Sequence, residues 1–578
     1  MSGVINTIKN LFTYKEPVNS EGFELLEKNE VSDGQGEDRG DELKNAGGEA
    51  TKRKRGKKPP LRVEEWNEAK NLPPEGILSS DLNTNLKKIK QEFLVPKNSD
   101  VVIREFKIGQ KVNAFIVFID GMVDKAVVND FVLRQLMDPE NFPDTIQGSP
   151  VEYIIDNVLA INQLERIKEY EKAVKEVLSG LTALFIDGCS ECILIETRGF
   201  EKRSIEKPSL ETVIRGPQEA FTENLRTNIT LIRRIIKNRH LVTEFVSVGK
   251  TNNANCGIMY IEGIANPDIV KEVKRRIESI DIDLVIGGGM LGQLIEDSPF
   301  ALFPQVLSTE RPDRTASLIM EGRVALIVDG APFAEVVPTT FFEHLHTSEE
   351  AFSVWYFGTF LRFVRFFGML VSAILPGMYI ALTTYHQEMI PTDLLSTIAL
   401  TRENVPFPVL VEVLIMEISF ELIREAGIRM PTVIGPALGI IGALILGQAA
   451  VAANLVSPIM IIIIAVTGLG SFALPNYPIA FSIRIIRFIF IFFGAIAGFY
   501  GISAAIFIIG GAACGIKSFG VPYFAPIAPR TKSGPDIIIR GPILYQKERP
   551  DYLNPLDKKR AGDNARGWTK GEQKGDKK

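Results

Sequence analysis

The feature that most constrains this chain is its uneven distribution of charge. Apolar residues run in blocks between Phe366 and Gly515, whereas both ends of the chain are densely charged. A helix needs roughly 20 apolar residues to cross the hydrocarbon of a bilayer. Segments that approach this length lie near 357–384, 407–424, 433–453 and 456–473 and in the long run Ile485–Cys514. We therefore expect an all-α, multi-pass membrane domain over residues 350–515.

The orientation of these segments follows from basic residues in their flanks, because such residues mark the cytoplasmic side. Arg362 and Arg365 open the first segment, and Arg484 and Arg487 open the last run. From Pro529 to its end the chain has 13 basic and 7 acidic residues. Both termini are therefore expected in the cytoplasm, which requires an even number of crossings. The last run is long enough for one tilted helix or a tight pair, and both alternatives stay open.

A soluble α/β region precedes these segments. A five-residue phrase (VFIDG, LFIDG, MYIEG, LIVDG) recurs there, ending at Gly121, Gly188, Gly263 and Gly330. An apolar strand followed by an acidic residue and a glycine is typical of a strand that enters a tight turn. The first two phrases are 67 residues apart, and so are the last two. This spacing predicts two related subdomains, over residues 86–215 and 216–345.

The two ends of the chain are expected outside these domains. Residues 1–85 are predicted to be a disordered charged arm, in which an acidic stretch is followed by the basic run Lys52–Lys58. Such a run is either solvated or attracted to an anionic membrane or an acidic partner. Residues 516–578 are predicted to be a basic cytoplasmic tail.

Glycine and cysteine motifs give no support for an enzyme. Gly287, Gly289 and Gly292 match the G-x-G-x-x-G pattern after a strand-like segment, but Pro299 interrupts the long helix that a dinucleotide site needs. A glycine turn is the favoured interpretation. Cys189-x-x-Cys192 is followed by the strand-like ILIET, which predicts a hairpin turn and not a redox pair at the start of a helix.

Composition excludes further classes. Four cysteines in 578 residues favour a reduced compartment, and a formal net charge of −5 gives no reason to expect nucleic-acid binding. No nucleophile–base set or phosphate loop is recognisable in the sequence. His344 and His346 lie next to Glu343 just before the apolar segments, where a polar interfacial patch is favoured over a metal site. We therefore predict no catalytic, cofactor-binding or metal site.

Four ionisable residues interrupt one of the apolar segments: Glu412, Glu417, Glu421 and Arg424. On a helix the last three share one face, so Glu421 is placed to pair with Arg424. Ionisable groups inside a bilayer are costly and usually face a cavity or a partner. The alternative is a helix at the membrane surface whose charges reach water, and the sequence leaves both open.

A predicted helix from Val433 to Leu455 has two distinct faces. Small residues share one face, a candidate for packing between subunits: Gly439, Ala443, Gly447, Ala450 and Asn454. Another face offers candidate pore-lining residues: Leu444, Gln448, Val451 and Leu455. An apolar constriction on that face can gate a pore by dewetting. The alternative is that Gln448 is hydrogen-bonded within the helix bundle.

The stretch His386–Tyr477, which contains VEVLIMEISFELIREAGIRMPTVIGPALGIIGALILGQAAVAANLVSP, resembles the A subunits of the spore germination receptors of endospore-forming bacteria, the GerA family. Arg215–Arg234 (RGPQEAFTENLRTNITLIRR), Glu296–Arg314 and Glu321–Phe341 agree with the same family. The resemblance covers residues 100–530, and a spore-membrane paralogue of the A subunit shares these motifs.

The resemblance implies a membrane subunit of a nutrient receptor in the inner spore membrane. Its implied partners are a transporter-like B subunit and a lipoprotein C subunit. Such subunits are expected to form homo-oligomers that act as a nutrient-gated ion channel, without a cofactor. Two alternatives remain: a secondary transporter, which predicts inverted repeats, and a membrane-anchored ligand-binding or scaffold subunit with no pore of its own.

Overall fold

A computed structural model describes residues 78–143, 149–199, 207–429, 446–531, 536 and 539–562. Residues 1–77, most of the predicted arm, lie outside the described residues, as do the candidate positions Gly439, Ala443 and Leu444. Helix α1 (Leu82–Glu92) begins within the predicted arm, with Asp81 as its N-cap. The boundary between the arm and the first subdomain therefore lies before residue 82.

The described residues contain two antiparallel sheets of five strands. The strands of the first sheet are Val101–Ile108 (β1), Val112–Ile119 (β2), Leu164–Ile167 (β3), Thr182–Ile186 (β4) and Cys192–Ile195 (β5). The strands of the second are Leu241–Val248 (β6), Ala254–Ile261 (β7), Leu307–Thr309 (β8), Val324–Val328 (β9) and Ala334–Val337 (β10). The spatial orders are β1-β2-β4-β5-β3 and β6-β7-β9-β10-β8, so the two sheets have the same topology.

Helices cover both faces of each sheet. On the first sheet they are α1, α2 (Arg134–Met137), α3 (Pro150–Tyr153) and α4 (Tyr170–Val177), with π-helical turns at Val127–Leu133 and Ile154–Val158. On the second they are α5 (Leu225–Ile235), α6 (Pro267–Glu278), α7 (Gly287–Ile295) and α8 (Pro312–Met320). Because both faces of the central strands are buried, these strands are continuous apolar runs such as TALFI in β4.

The internal repeat extends to individual hydrogen bonds. Gly121, Gly188, Gly263 and Gly330 follow β2, β4, β7 and β9, and all have φ between 77° and 87°. A side-chain amide on α1, that of Asn85, donates to Ser79 O (2.7 Å) and accepts from Ser79 N (3.1 Å). Asn228, 143 residues later on α5, makes the same pair of bonds with Thr222 (2.6 and 2.7 Å). The predicted α/β soluble region therefore contains two units of one design.

A buried ion pair joins the two units. Arg233 on α5 donates from Nε to Asp100 Oδ2 (2.7 Å) and from Nη2 to Asp100 Oδ1 (2.8 Å), and both side chains are 1% exposed. Asp100 immediately precedes β1 of the first unit. Removing one partner of such a pair leaves an uncompensated buried charge, which typically costs about 3–5 kcal/mol. The pair is therefore one of the contacts that hold the two units together.

The region after residue 345 is helical. Its helices are Glu349–Phe352 (α9), Trp355–Thr384 (α10), Thr392–Arg402 (α11), Val409–Arg429 (α12), 446–452 (α13), Pro458–Phe472 (α14) and Tyr477–Gly515 (α15). Among the described residues, α10 and α15 are long and apolar enough to cross a membrane, whereas α14 is shorter. The expected soluble α/β region followed by a helical region is confirmed. One difference is that α13 ends at residue 452, because Asn454 has a left-handed φ of 53° and breaks the predicted helix.

Helix α15 is a tight hairpin. Ala497 and Gly498 have non-helical backbone angles, and Gly498 has a φ of 58°. A Cβ atom on Gly501 would overlap the carbonyl of Phe493. Residues eight apart on a straight helix are separated by about 12 Å, so this contact requires the chain to reverse. Of the two alternatives for the last apolar run, the structure has the pair: a first arm, residues 477–496, and a second arm, residues 499–515.

The residues after α15 return to the soluble region. They form the short hairpin Lys517–Ser518 (β11) and Val521–Pro522 (β12), and Phe519, Val521 and Leu553 join the core of the second unit. Ser518 Oγ donates to Gln305 O at 2.7 Å. Parts of the predicted tail 516–578 therefore belong to the core of the second unit, because Phe519, Val521 and Leu553 are buried in it.

The turn predicted for the glycine motif is wrong, whereas the hairpin turn predicted for the cysteine motif is present in the structure. Helix α7 spans Gly287–Ile295, so the motif glycines lie in a helix and not in a turn, although Gly287 at its first position has a left-handed φ of 71°. A Cβ on Gly288 would come within 2.6 Å of Glu335, a carboxyl whose pKa is raised to about 7 by burial. Cys192 opens β5 after a hairpin from β4, and burial raises the pKa of its thiol to about 12. A thiol of this kind is unsuited to redox exchange.

Candidate functional site in the helical region

The charged residues of α12 point into the helix bundle and meet partners there. Glu412 and Glu417 are fully buried at 0% exposure, and Glu421 is partly buried. The sequence left open whether these charges reach water or a partner. The structure brings them against arginine side chains from other helices.

The most buried pair joins Glu417 on α12 to Arg487 on the first arm of α15. Arg487 Nη1 donates to Glu417 Oε2 at 2.6 Å, and both side chains are 0% exposed. The same guanidinium donates from Nε to Ser372 O and from Nη2 to Ser372 Oγ, each at 2.8 Å. Because Ser372 belongs to α10, one arginine holds three helices together.

A second carboxylate, Glu421, extends this cluster. It lies 3.3 Å from Arg424, 3.2 Å from Arg484 and 3.8 Å from Arg487. Arg424 Nη2 also donates to Ser471 Oγ on α14 at 2.7 Å. Two carboxylates therefore face three guanidinium groups, and the cluster has a net charge of +1. We refer to Glu417, Glu421, Arg424, Arg484 and Arg487 as the arginine cluster.

Aromatic rings surround the outer part of the arginine cluster. The Arg424 guanidinium lies 4.9 Å from the ring centroid of Phe420 and 4.8 Å from that of Phe472. Arg484 lies 5.0 Å from the ring of Phe481. Rings at this distance stabilise a cation while excluding water. The cluster is therefore a polar centre within an apolar bundle.

Glu412 belongs to a separate contact at the other end of α12. Its carboxylate accepts from Arg402 Nε on α11 and from Ser457 N, each at 3.1 Å. Ser457 is the N-cap of α14, and its hydroxyl accepts from Met460 N. This contact fixes the start of α12 against the start of α14.

Two polar atoms of the arginine cluster lack a protein partner among the described residues: Glu417 Oε1 and Arg424 Nε. A buried carboxylate oxygen without a hydrogen bond is unfavourable by about 1–3 kcal/mol or more. The hydrogen-bonding capacity of the arginine cluster is thus not fully used by the described residues.

The sequence interpretation missed two members of the cluster. Arg484 and Arg487 were assigned to a cytoplasmic flank, but Arg487 is buried beside Glu417, 70 residues away. Arg484 and Arg487 are three residues apart and Glu417 and Glu421 are four apart, so each pair lies on one face of its helix. Two basic residues and two acidic residues at helical spacing in two apolar segments were the sequence signal that could have predicted the cluster. Arg362 and Arg365, assigned to the other flank, both contact the buried carboxylate of Glu350.

Of the described candidate pore-lining residues, Gln448 and Leu455 lie on the outside of the single chain, whereas Val451 packs partly against the helical core. Gln448 is exposed, Leu455 is 42% exposed and Val451 is half-buried. The Gln448 amide makes no hydrogen bond to any residue that the structure describes. Leu455 lies beyond the end of α13 and not on its helical face, because the helix stops at residue 452.

Two of the three described residues of the candidate packing face, Gly447 and Ala450, are turned inward. Ala450 is 8% exposed, and a Cβ on Gly447 would lie 3.4 Å from Ile461 of α14. These two residues therefore contact a helix of the same chain, whereas Asn454 is exposed. Close backbone contact occurs elsewhere: Gly377 of α10 packs on Gly494 of α15, and Gly368 of α10 packs on Gly470 of α14.

Comparisons with known proteins agree with one another. Residues 87–552 match the family described as Bacillus/Clostridium GerA spore germination protein. The chain is 42% identical over 493 residues to spore germination protein KA of Bacillus subtilis (strain 168), a match that covers 85% of this chain and 90% of that protein. It is 38% identical to spore germination protein GerLA of Bacillus cereus, over 83% of this chain and 97% of that protein.

The chain is also similar to a solved structure, the N-terminal domain of the A subunit of the Bacillus megaterium spore germinant receptor GerK3. It is 32% identical, with a TM-score of 0.37, and the match covers 46% of this chain and 99% of that chain. The two sequence relatives are matched over most of their length.

Proposed function

This chain belongs to the Bacillus/Clostridium GerA family of spore germination proteins, and from that premise we propose that it is the membrane subunit of a nutrient-responsive germination receptor. In this proposal it resides in the inner spore membrane with a transporter-like B subunit and a lipoprotein C subunit. Several copies assemble into a gated ion channel, and opening of the channel starts germination. The subunit itself catalyses no reaction.

Placement in a membrane is supported by the exposed surface of the long helices. Ile496, Tyr500 and Phe507 on α15 are 75%, 82% and 82% exposed. On α10, Phe360 and Phe367 are 62% and 68% exposed. Apolar side chains exposed in such number are unfavourable in water and favourable in lipid. The helices are thus suited to a bilayer.

The observation that carries the channel proposal is the exposed amide of Gln448. It lies on an outward face of α13, beside the half-buried Val451. An unpaired side-chain amide in hydrocarbon costs at least ~1 kcal/mol. Contact of this face with lipid is therefore unfavourable. Contact with water in a pore, formed when copies of the chain surround it, satisfies the amide.

In the closed channel, Val451 and Leu455 form the constriction. A narrow apolar ring loses its water and blocks ions without a physical plug. Gln448 then lies at the wet edge of this ring. The inward residues Gly447 and Ala450 keep α13 close to α14, so the constriction is supported by the rest of the subunit.

The test is ion leak from proteoliposomes that contain the receptor with its partner subunits, in the absence of any nutrient. Val451→Ala and Leu455→Ser are expected to raise the release of trapped potassium several-fold, because a wider or more polar ring wets more easily. Val466→Ala is the matched control, since Val466 is an exposed valine of α14. A receptor that stays closed in both variants, while its assembly or stability decreases, would contradict a pore at this face.

A further inference from the structure

A surface loop between the two units carries two exposed apolar residues on a rigid support. The loop spans residues 207–217 and has no helix or strand. Leu210 is 63% exposed, and Ile214 is 92% exposed. We refer to residues 207–217 as the strap. Exposed apolar residues on a mobile loop need no explanation, but the strap is held by several charged contacts.

Buried charged residues of the second unit fix the backbone of the strap. Glu310, 6% exposed, accepts from the backbone N–H groups of Leu210 and Glu211, each at 2.6 Å. Arg311, 0% exposed, donates to Glu211 O at 3.1 Å and to Pro217 O at 2.8 Å. Ile214 lies between these two anchors, so its exposure is a property of an ordered backbone.

The strap also contacts the entry to the first long helix. Gly216 packs so closely on Phe352 of α9 that a Cβ atom would come within 2.6 Å of the ring. Phe352 is three residues before Trp355, which begins α10. Trp355 and Tyr356 are 45% and 62% exposed. Exposed Trp and Tyr at the end of a membrane helix mark the level of the lipid headgroups.

The charges of the strap complement an anionic surface. Lys207 and Arg215 are exposed, and Arg215 is adjacent to Ile214. The acidic residue of the strap, Glu211, is neutralised by Arg314 at 2.7 Å and accepts from Thr309 Oγ1 at 2.6 Å. The outer surface of the strap therefore combines two apolar side chains with positive charge, which is the chemistry of binding to an anionic membrane interface.

We infer that the strap is a second point of attachment to the membrane, in which Ile214 and Leu210 enter the headgroup region and Arg215 and Lys207 contact anionic lipid headgroups. The occupant is the lipid of the same bilayer that α10 enters, because the strap is continuous with the aromatic start of that helix. The inference rests on the proposal that the long helices lie in a membrane. It adds that the soluble units are held against the bilayer and are not free to turn above it.

The experiment places an environment-sensitive fluorophore on the full-length chain in bilayers of phosphatidylcholine and phosphatidylglycerol. The background replaces Cys189 and Cys514 by serine, because these two cysteines are not buried. Ile214→Cys carries the label at the strap. Nitroxide lipids with the spin label close to the headgroup are expected to quench it several-fold. Phe131→Cys, on an exposed residue of the first unit, is the matched control and is expected to stay unquenched.

A third labelled position separates the two proposals. Ile496→Cys lies at the exposed tip of the first arm of α15. One outcome is that lipid nitroxides quench the label at 496 but not the labels at 214 and 131. The strap inference is then overturned, and the placement of the long helices in the membrane stands. If none of the three labels is quenched, both fail. Disulfide-linked dimers through Ile214→Cys, without quenching by lipid, would assign the strap to a second copy of the chain.

The contribution of charge is tested with Arg215→Glu in the labelled Ile214→Cys chain. Quenching is expected to fall about twofold or more in the anionic bilayer and to change little in pure phosphatidylcholine, because only the first attracts positive charge. Equal quenching of the two chains in the anionic bilayer would show that Arg215 does not bind anionic lipid headgroups.

Discussion

Arg487 on α15 makes four polar contacts with two other helices, to Glu417 and Glu421 of α12 and to both oxygens of Ser372 on α10. Its position shows why a charge can be retained in an apolar bundle. Removing one member of a buried pair leaves the other uncompensated, whereas removing both can be nearly neutral. The strength of the arginine cluster therefore lies in its pairing and not in any one residue.

The Glu417–Arg487 pair can be tested by replacing one partner or both. Glu417→Gln and Arg487→Met are each expected to lower the stability of the purified chain by about 3–5 kcal/mol, and the double variant is expected to recover much of the loss. Thermal unfolding in detergent measures the effect. Glu105→Gln is the control, because it breaks the exposed pair with Lys90, which is worth at most about 1 kcal/mol. Losses that simply add in the double variant would show that the two charges act independently.

At the scale of elements, α10 is held by glycine contacts on two sides. Gly377 meets the backbone of α15 near Phe490 and Gly494, and Gly368 meets α14 at Gly470. Because lipid is as apolar as the helices, the hydrophobic effect does not drive helices together in a membrane. Such close backbone contact therefore provides much of the packing energy. The carboxyl end of α10 also contacts the turn of α15, where Tyr385 Oη donates to Ala495 O at 2.7 Å.

Gly494→Val tests this packing. A Cβ at residue 494 would lie 2.6 Å from the carbonyl oxygen of Gly377, so the two helices have to separate. We expect a loss of about 1–3 kcal/mol in stability, measured as a lower unfolding temperature in detergent. Gly510→Val, on the second arm of the same helix, is the control, because nothing lies within 4 Å of its Cβ position. An equal loss in the two variants would point to a general intolerance of valine in α15.

For the whole molecule, the helices begin and end next to the soluble units. Asn476, before the first arm of α15, lies beside His344, and Tyr523, after the second arm, has its ring 6.2 Å from that of His344. Burial, assisted by the nearby Arg314 charge, lowers the pKa of His344 to about 3, so the imidazole is neutral at this junction. The hairpin in α15 thus returns the chain to the side from which it started.

This geometry supports the proposal that both termini lie on one side of the membrane. Single cysteines at Phe131 and Leu556 are expected to react with an impermeant maleimide from the same face of oriented vesicles. Leu394→Cys, on α11 beyond the far end of α10, is expected to react from the opposite face. All three residues are exposed at 39% or more, so access depends on the side of the membrane alone. Labelling of Leu394 and Leu556 from one face would exclude a single crossing by α10.

Local features were predictable because their causes lie within a few residues. The acidic-glycine phrases predicted strands that end in tight turns, and their spacing predicted two related units. The glycine of each phrase is needed for a positive φ. The pattern Glu417, Glu421 and Arg424 also predicted one shared helix face. By contrast, the turn predicted at Gly287, Gly289 and Gly292 is a helix in the structure. Its neighbour Gly288 has no room for a Cβ beside Glu335, and a contact of this kind with a distant strand is not visible in the local sequence pattern.

By itself, then, the sequence determined the order of regions, the repeat and the presence of charges in an apolar segment. Hydrophobicity and turn preferences are properties of neighbouring residues, so they can be read directly. Only the tertiary structure decided that Arg487 pairs with Glu417, that α15 folds back at Gly498, and that residues after 516 complete the second unit. Each of these depends on contacts between residues far apart in the chain, whose free energy arises only when burial brings them together.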